Sequence, residues 1–226
     1  MKALERQADG IWTVAAPQSF YGFHLGTRMT VLRLPSGGLW LHSAIRIDAQ
    51  LKAEIDALGP VQHIVAPNAY HHLYAGPAAT LWPKAQVHAP RQLRKKRPDL
   101  RVDAELSDTP DPSWGGALVP VPIAGNLIHE TVFVHRPTRT LINSDLVENF
   151  EGSPHLPTRV YLWASGILGT VGLGRLVRLT FRDHPAARRS LDRLLAEDFD
   201  RIVLAHGRIV PNGGRDAVRN AYRWLG

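Results

Sequence analysis

Short apolar runs, each closed by glycine, proline or aspartate, punctuate the chain from its start. Residues 11–14, 29–34 and 39–47 read as strands, and Pro35-Ser36-Gly37-Gly38 between the last two is hairpin chemistry. Asp48 suits the N-cap of a helix through Leu58, with Leu51, Ile55 and Leu58 on one face and Gly59-Pro60 as the stop. Ile64 to Ala66 reads as a buried strand, ended by Pro67 and Asn68. A helical segment over 73–81, a short strand over 85–88 and a basic helix over 91–97 come after it. Residues 98–116 are polar and turn-rich and read as a surface connection. Three strands come next, over 117–123, 131–135 and 140–143, with Arg136-Pro137-Thr138-Arg139 turning between the last two. The final third reads as helical except for a strand over 201–205 and a short piece at 209–210. Its last helix, over 215–224, is amphipathic. Strands, helix–strand units, strands again and then helices predict an α/β (α+β) chain: a four-layer αβ/βα sandwich of two mixed β-sheets. A simple doubly wound sheet fits less well, because hairpins at both starts imply antiparallel pairing. No repeat or linker divides the chain, so residues 1–226 form one domain in this reading.

Composition narrows the chemistry. With 44% hydrophobic and 21% charged residues over 226 positions, the chain can bury a sizeable core. There is no cysteine, which removes disulfides, thiolate ligands and a cysteine nucleophile and fits a reducing compartment. The first residues lack the apolar core of a signal peptide, so a cytoplasmic location is expected. The net charge of +7 gathers at Arg91, Arg94, Lys95, Lys96, Arg97 and Arg101, at Arg188, Arg189 and Arg193, and at Arg215, Arg219 and Arg223. The last two clusters have helical spacing and read as solvated helix faces. No nucleic-acid motif accompanies the charge, which argues against a nucleic-acid partner.

The most informative feature is the pair His71-His72, placed just beyond the apolar run that ends at Ala66. Ligands collect past the C-terminal ends of strands in layered α/β proteins, and imidazole is the commonest metal ligand. A plainer reading has one ring capping a helix and the other satisfied in the core. Two further strand ends carry metal-capable residues, Asp145 and His206. If these strands share a sheet edge, imidazoles and a carboxylate converge in a site suited to zinc, iron or manganese.

On these residues the chain resembles a divergent member of the metallo-β-lactamase-fold superfamily. That family places a signature His-x-His-x-Asp-His after a strand. The matching window is Pro67-Asn68-Ala69-Tyr70-His71-His72, with Pro67 and Ala69 at the first two histidines, His71 at the aspartate and His72 at the last histidine. Leu141-Ile142-Asn143-Ser144-Asp145 resembles the strand ending in a bridging aspartate, and Leu204-Ala205-His206-Gly207 the last strand ending in His-Gly. The family's middle histidine falls at Asn126, after Gly125, with His129 and Glu130 as nearby alternatives. The segment 67–72 also resembles an uncharacterised domain-of-unknown-function branch of this superfamily. The resemblance implies that one metal position is lost, through Pro67, Ala69 and Asn126. It implies that the other is kept by His71, His72, Asp145 and His206.

The expected protein is a mononuclear metallo-hydrolase acting on an ester, thioester or lactone. One divalent ion, zinc or else iron or manganese, carries a hydroxide nucleophile, and Asp145 and His71 act as catalytic groups. The rival expectation is a non-catalytic binding or scaffold protein that keeps the fold with a degenerate site. His42, Asn68, Tyr70, Asn126, His129 and Glu130 are candidates for supporting roles around the ligands. Glu130 could be a ligand or base, and Asn68 a helix cap. His24, His63, His88, His135, His155 and His184 read as structural or surface residues. The uncharged apolar stretch 160–174, flanked by Arg159 and Arg175, is too short and too rich in glycine to span a bilayer. It reads as a wall for a partly hydrophobic small-molecule substrate, with a homodimer contact or weak membrane association as alternatives.

Overall fold

The computed structural model describes residues 3–226. In chain order the first half runs β1 (Glu5–Ala8), β2 (Ile11–Ala16), β3 (Ser19–Phe20), β4 (Phe23–His24), β5 (Thr27–Arg33), β6 (Leu39–His42), α1 (Ala49–Asp56), β7 (Val61–Val65), α2 (Ala75–Leu81), β8 (Gln86–Ala89), α3 (Arg91–Lys96) and β9 (Ala104–Glu105). The second half runs β10 (Leu118–Pro122), β11 (Thr131–His135), β12 (Thr140–Asn143), β13 (Glu148–Asn149), α4 (Leu156–Ala164), β14 (Val171–Gly172), α5 (Arg175–Arg178), α6 (His184–Ala196), β15 (Arg201–Leu204) and α7 (Gly214–Ala221).

Two mixed sheets result, as the element order predicts. One has the order β1-β2-β5-β6-β7-β8-β9, the other β10-β11-β12-β15. β6, β7 and β8 are parallel, and so are β12 and β15, while the strands at each sheet's start pair antiparallel. The period of two along each strand separates its faces. On β6, Leu39 and Leu41 join Val31, Ile64 and Val87 against Leu51, Ile55, Ala78 and Leu93 of the first-half helices. Trp40 points the other way, into an apolar layer with Ile11, Leu32, Val65, Trp114, Phe133 and Ile142 that joins the sheets. Val132, Val134, Leu141 and Ile202 face Ala187, Leu191 and Leu194 of α6 and Val218 of α7. The layers are therefore helix, sheet, sheet, helix.

Local chemistry explains the element ends. Asp48 caps α1 by accepting from the Leu51 amide at 2.9 Å. Three expected elements come out differently. The strand expected over 39–47 stops at His42, because Ser43 adopts φ 57° and turns the chain toward the sheet edge. The segment 98–116 is more than a surface connection: β9 extends the first sheet, and Trp114 is buried between the sheets. The last helix closes at Ala221, and a 3-10 turn, Arg223–Leu225, completes the chain's ordered end. The β3–β4 hairpin and the β13–β14 pair had no alternation long enough to announce them.

Candidate metal centre

Parallel pairing brings the C-terminal ends of β6, β7, β12 and β15 to one edge of the sandwich. The residues just past those ends are Ser43, the segment 67–72, Ser144-Asp145 and His206. Pro67 halts the β7 ladder, and the Asn68 side chain then shapes the turn. Its Oδ1 accepts from the amides of Tyr70 and His71, both at 2.8 Å. Its Nδ2 donates to Ser144 Oγ at 2.9 Å and Asp145 Oδ2 at 2.6 Å. One fully buried amide thus sets the direction of His71 and grips the carboxylate opposite it.

His71, Asp145 and His206 form a compact group. The two Nε2 atoms lie 3.0 Å apart, and each lies 3.3 Å from Asp145 Oδ1. The far side of each ring is occupied. His71 Nδ1 meets Ser43 Oγ at 2.5 Å, and His206 Nδ1 meets the Gly26 carbonyl at 2.9 Å. A carbonyl only accepts, so Nδ1 of His206 carries a hydrogen, and Nε2 faces the group. Two ring nitrogens and a carboxylate oxygen at this spacing require a proton or a cation among them. Metal–ligand bonds of about 2.0–2.1 Å at tetrahedral angles place ligand atoms about 3.3 Å apart. The observed triangle has that size, so these residues fit a metal ion.

His206 is held in place by its own loop. Arg28 donates to the carbonyls of Leu204 at 2.6 Å and Gly207 at 2.8 Å. Gly207 adopts φ +89°, and a Cβ there would lie 1.9 Å from the Asn149 carbonyl oxygen. The residue after this histidine is thus glycine for want of space.

The electrostatics suit a cation. Burial alone would raise the Asp145 carboxyl, but the charges and hydrogen bonds of His71 and His206 overcome it and hold it well below the carboxylate range. Burial would lower His206, yet Asp145, with Glu148 behind it, raises it. Glu130 sits beneath. Its Oε1 accepts from the Ser144 amide at 2.6 Å, Ser144 Oγ at 2.8 Å and the Asp145 amide at 3.1 Å. Burial, then the charge of Asp145, pushes its carboxyl up to about 8 against those donors. Glu148, also buried, is pushed up to about 7.

The other expected site residues fall into place around this core. His72 does not join it. Adjacent residues of a turn project differently, and its Nδ1 meets the Arg97 guanidinium at 3.1 Å beside α3. Burial, then Lys96 and Arg97, lowers it to about 4. Of the four ligands expected from the sequence, His71, Asp145 and His206 come together and His72 stands apart. Asn126 closes an Asx turn, accepting from the Ile128 and His129 amides and donating to the Ile123 carbonyl, so its amide is spent. His129, at φ 56°, is half-buried and apart from the three ligands. His42 stacks on Trp40 between the sheets, and burial, then His71, lowers it to about 3. Tyr70 stands on the rim, with Phe20 of the β3–β4 hairpin edge-on at 6.0 Å and Lys96 Nζ 4.8 Å from its ring centre. Sequence reasoning passed over Ser43, Ser144 and Gly26 as partners. A hydroxyl following a strand-end histidine was a signal for Ser43, but a carbonyl partner such as Gly26 leaves none.

Solved structures share this architecture. A metallo-beta-lactamase from Pontibacter korlensis superimposes with TM-score 0.66 at 14% identity, covering 97% of this chain and all of that one. One from Erythrobacter litoralis gives 0.69 at 14% identity, covering 97% and 95%. FIM-1 from Pseudomonas aeruginosa, solved in its mono-zinc form, gives 0.64 at 14% identity, covering 99% and 94%. The chain thus has the metallo-β-lactamase fold, in a divergent form. A family model described as "Domain of unknown function (DUF4336)" matches residues 8–93. No curated protein matches the chain.

Proposed function

We propose that this chain is a hydrolase of ester, thioester or lactone bonds that uses one divalent ion, zinc in the first instance, held by His71, Asp145 and His206. The observation that carries the reading is the triangle of three ligand atoms at tetrahedral-edge spacing, each imidazole backed by a fixed partner. Such an ion supplies Lewis acidity, polarising a carbonyl and acidifying water. The protein's own groups do the rest. Asp145 offers Oδ1 to the site while Asn68 holds Oδ2, so the carboxylate cannot swing away. Ser43 and the Gly26 carbonyl fix the two ring planes. Phe20, Tyr21 and Tyr70 supply an apolar rim for a partly hydrophobic substrate.

Elemental mass spectrometry on the purified protein, with a panel of ester, thioester and lactone substrates, tests this. About one equivalent of metal is expected, with hydrolysis, and both should be lost in His206→Ala and Asp145→Asn. Hydrolysis that survives both substitutions overturns the mechanism. A second reading, a scaffold with a decayed site, is favoured by Pro67, Ala69 and the spent amide of Asn126 at the other metal position. Failure to take up metal on reconstitution would select it.

A further inference from the structure

The exposed apolar residues of this chain concentrate on one stretch of its surface. Leu156, Val160 and Trp163 lie at i, i+4 and i+7 on α4, so they share a face, and Trp163 is 72% exposed. Leu176 and Leu179, 61% and 65% exposed, stand on and after α5. The segments adjoin: the Arg175 amide donates to the Ser165 carbonyl at 3.0 Å, and the Leu127 amide to the Thr180 carbonyl at 3.1 Å, which adds exposed Leu127. The β3–β4 hairpin lies against the same helix, with Phe23 stacked on Tyr161 at 4.4 Å and the His24 amide donating to Thr158 Oγ1 at 2.8 Å. Its tip presents Tyr21, also exposed. A monomer rarely shows so many large side chains together without a use.

Charge says what covers them. Between Glu151 and Asp183 the sequence has no acidic residue but has Arg159, Arg175, Arg178 and Arg182. Arg159, Arg175 and Arg182 are exposed, and none has a carboxylate partner among the described residues. Glu151, at one end of the stretch, is itself paired with Arg208. Aliphatic and indole side chains interleaved with unpaired arginines match the boundary between acyl chains and anionic headgroups. A second copy packed by two-fold symmetry would set these arginines against each other.

We infer that this face, built from α4, α5 and the tip of the β3–β4 hairpin, docks on an anionic lipid surface. The docking does not depend on the hydrolase reading, since metal content and turnover are measured separately from it.

Vesicle flotation of the full chain tests it. Vesicles of phosphatidylcholine alone are compared with vesicles carrying about a quarter phosphatidylglycerol. The wild type should float with the anionic vesicles only, and added salt should release it. Two variants separate the contributions. Trp163→Ser with Leu176→Ser removes apolar groups, and Arg159→Gln with Arg175→Gln and Arg182→Gln removes charge. All five side chains are exposed, so the fold should persist by thermal melting. Each variant should lose about tenfold or more in vesicle affinity, consistent with the arginines and the buried apolar area acting together. Absence of flotation with anionic vesicles at low salt overturns the inference, as does flotation unchanged in both variants. Light scattering that shows a wild-type dimer split by Trp163→Ser with Leu176→Ser also overturns it, in favour of a second copy.

Discussion

Glu130 offers the sharpest test of how the centre is held. Its Oε1 is the acceptor for three donors, the Ser144 amide, the Ser144 hydroxyl and the Asp145 amide. Glu130→Ala strands all three in a buried site. Each unsatisfied buried donor costs about 1–3 kcal/mol, and neighbouring losses do not simply add, so about 3–5 kcal/mol is expected. For a chain of this size that is a fall in Tm on the order of 10 °C. Glu130→Gln is different. Its carbonyl can take the place of Oε1 and keep all three bonds, and only the second contact of the Asp145 amide, to Oε2 at 3.0 Å, is lost. If the carboxyl is neutral, held near 8 by burial and by Asp145, the swap replaces one uncharged group by another and costs only that contact, about 1–2 kcal/mol. The assay is chemical denaturation of metal-free protein from pH 5 to 9. A carboxyl raised from its ordinary 4.5 to about 8 keeps its proton in the fold after the unfolded chain has released it. Its contribution is full below about 4.5, falls by about 1.4 kcal/mol per pH unit at most, and levels off above 8. Wild type should therefore lose stability relative to Glu130→Gln as pH rises through that window. A Gln variant as damaged as the Ala variant, or a flat difference with pH, would refute a neutral Glu130.

The same geometry sets three further outcomes. His72→Ala should keep the full metal equivalent by elemental analysis, because that ring faces Arg97; loss of metal would return His72 to the ligand set. Asn68→Ala should weaken metal binding about 10–100-fold in calorimetric titration, since it frees Asp145 Oδ2 and the turn that aims His71. Phe133→Ala should cost about 3–5 kcal/mol in denaturant melts, because the ring packs edge-on against Trp40 at 4.9 Å and Trp114 at 5.8 Å where the sheets meet.

The four-layer plan was legible because its strands are short apolar runs closed by turn residues and its hairpin turn is written in Pro35 to Gly38. The ends of β7, β12 and β15 were legible too, so the chain's own punctuation pointed to His71, Asp145 and His206. Direction was not legible. His71 and His72 are neighbours of one type, and only the Asn68 turn sends one ring to Asp145 and the other to Arg97. Asn126 falls where the resemblance has a lost ligand, and nothing in the sequence showed that its side chain closes its own turn. The short pairs β3–β4 and β13–β14 rest on tertiary contacts such as Phe23 on Tyr161, and a two-residue strand carries no period.

The span of the centre's bonds has a kinetic meaning. His71 with His206, His206 with Gly26, and Arg28 with Leu204 join residues separated by 135, 180 and 176 positions. Each half of the chain has its own helix-covered core, while the layer between the sheets and the triangle of His71, Asp145 and His206 require both halves. Contacts of such range close late, after their loop entropy is paid. The centre is thus a register of completed assembly. Cutting the exposed run near Asp108 should yield two fragments, neither of which holds the triangle, and capacity for metal should return only on mixing them.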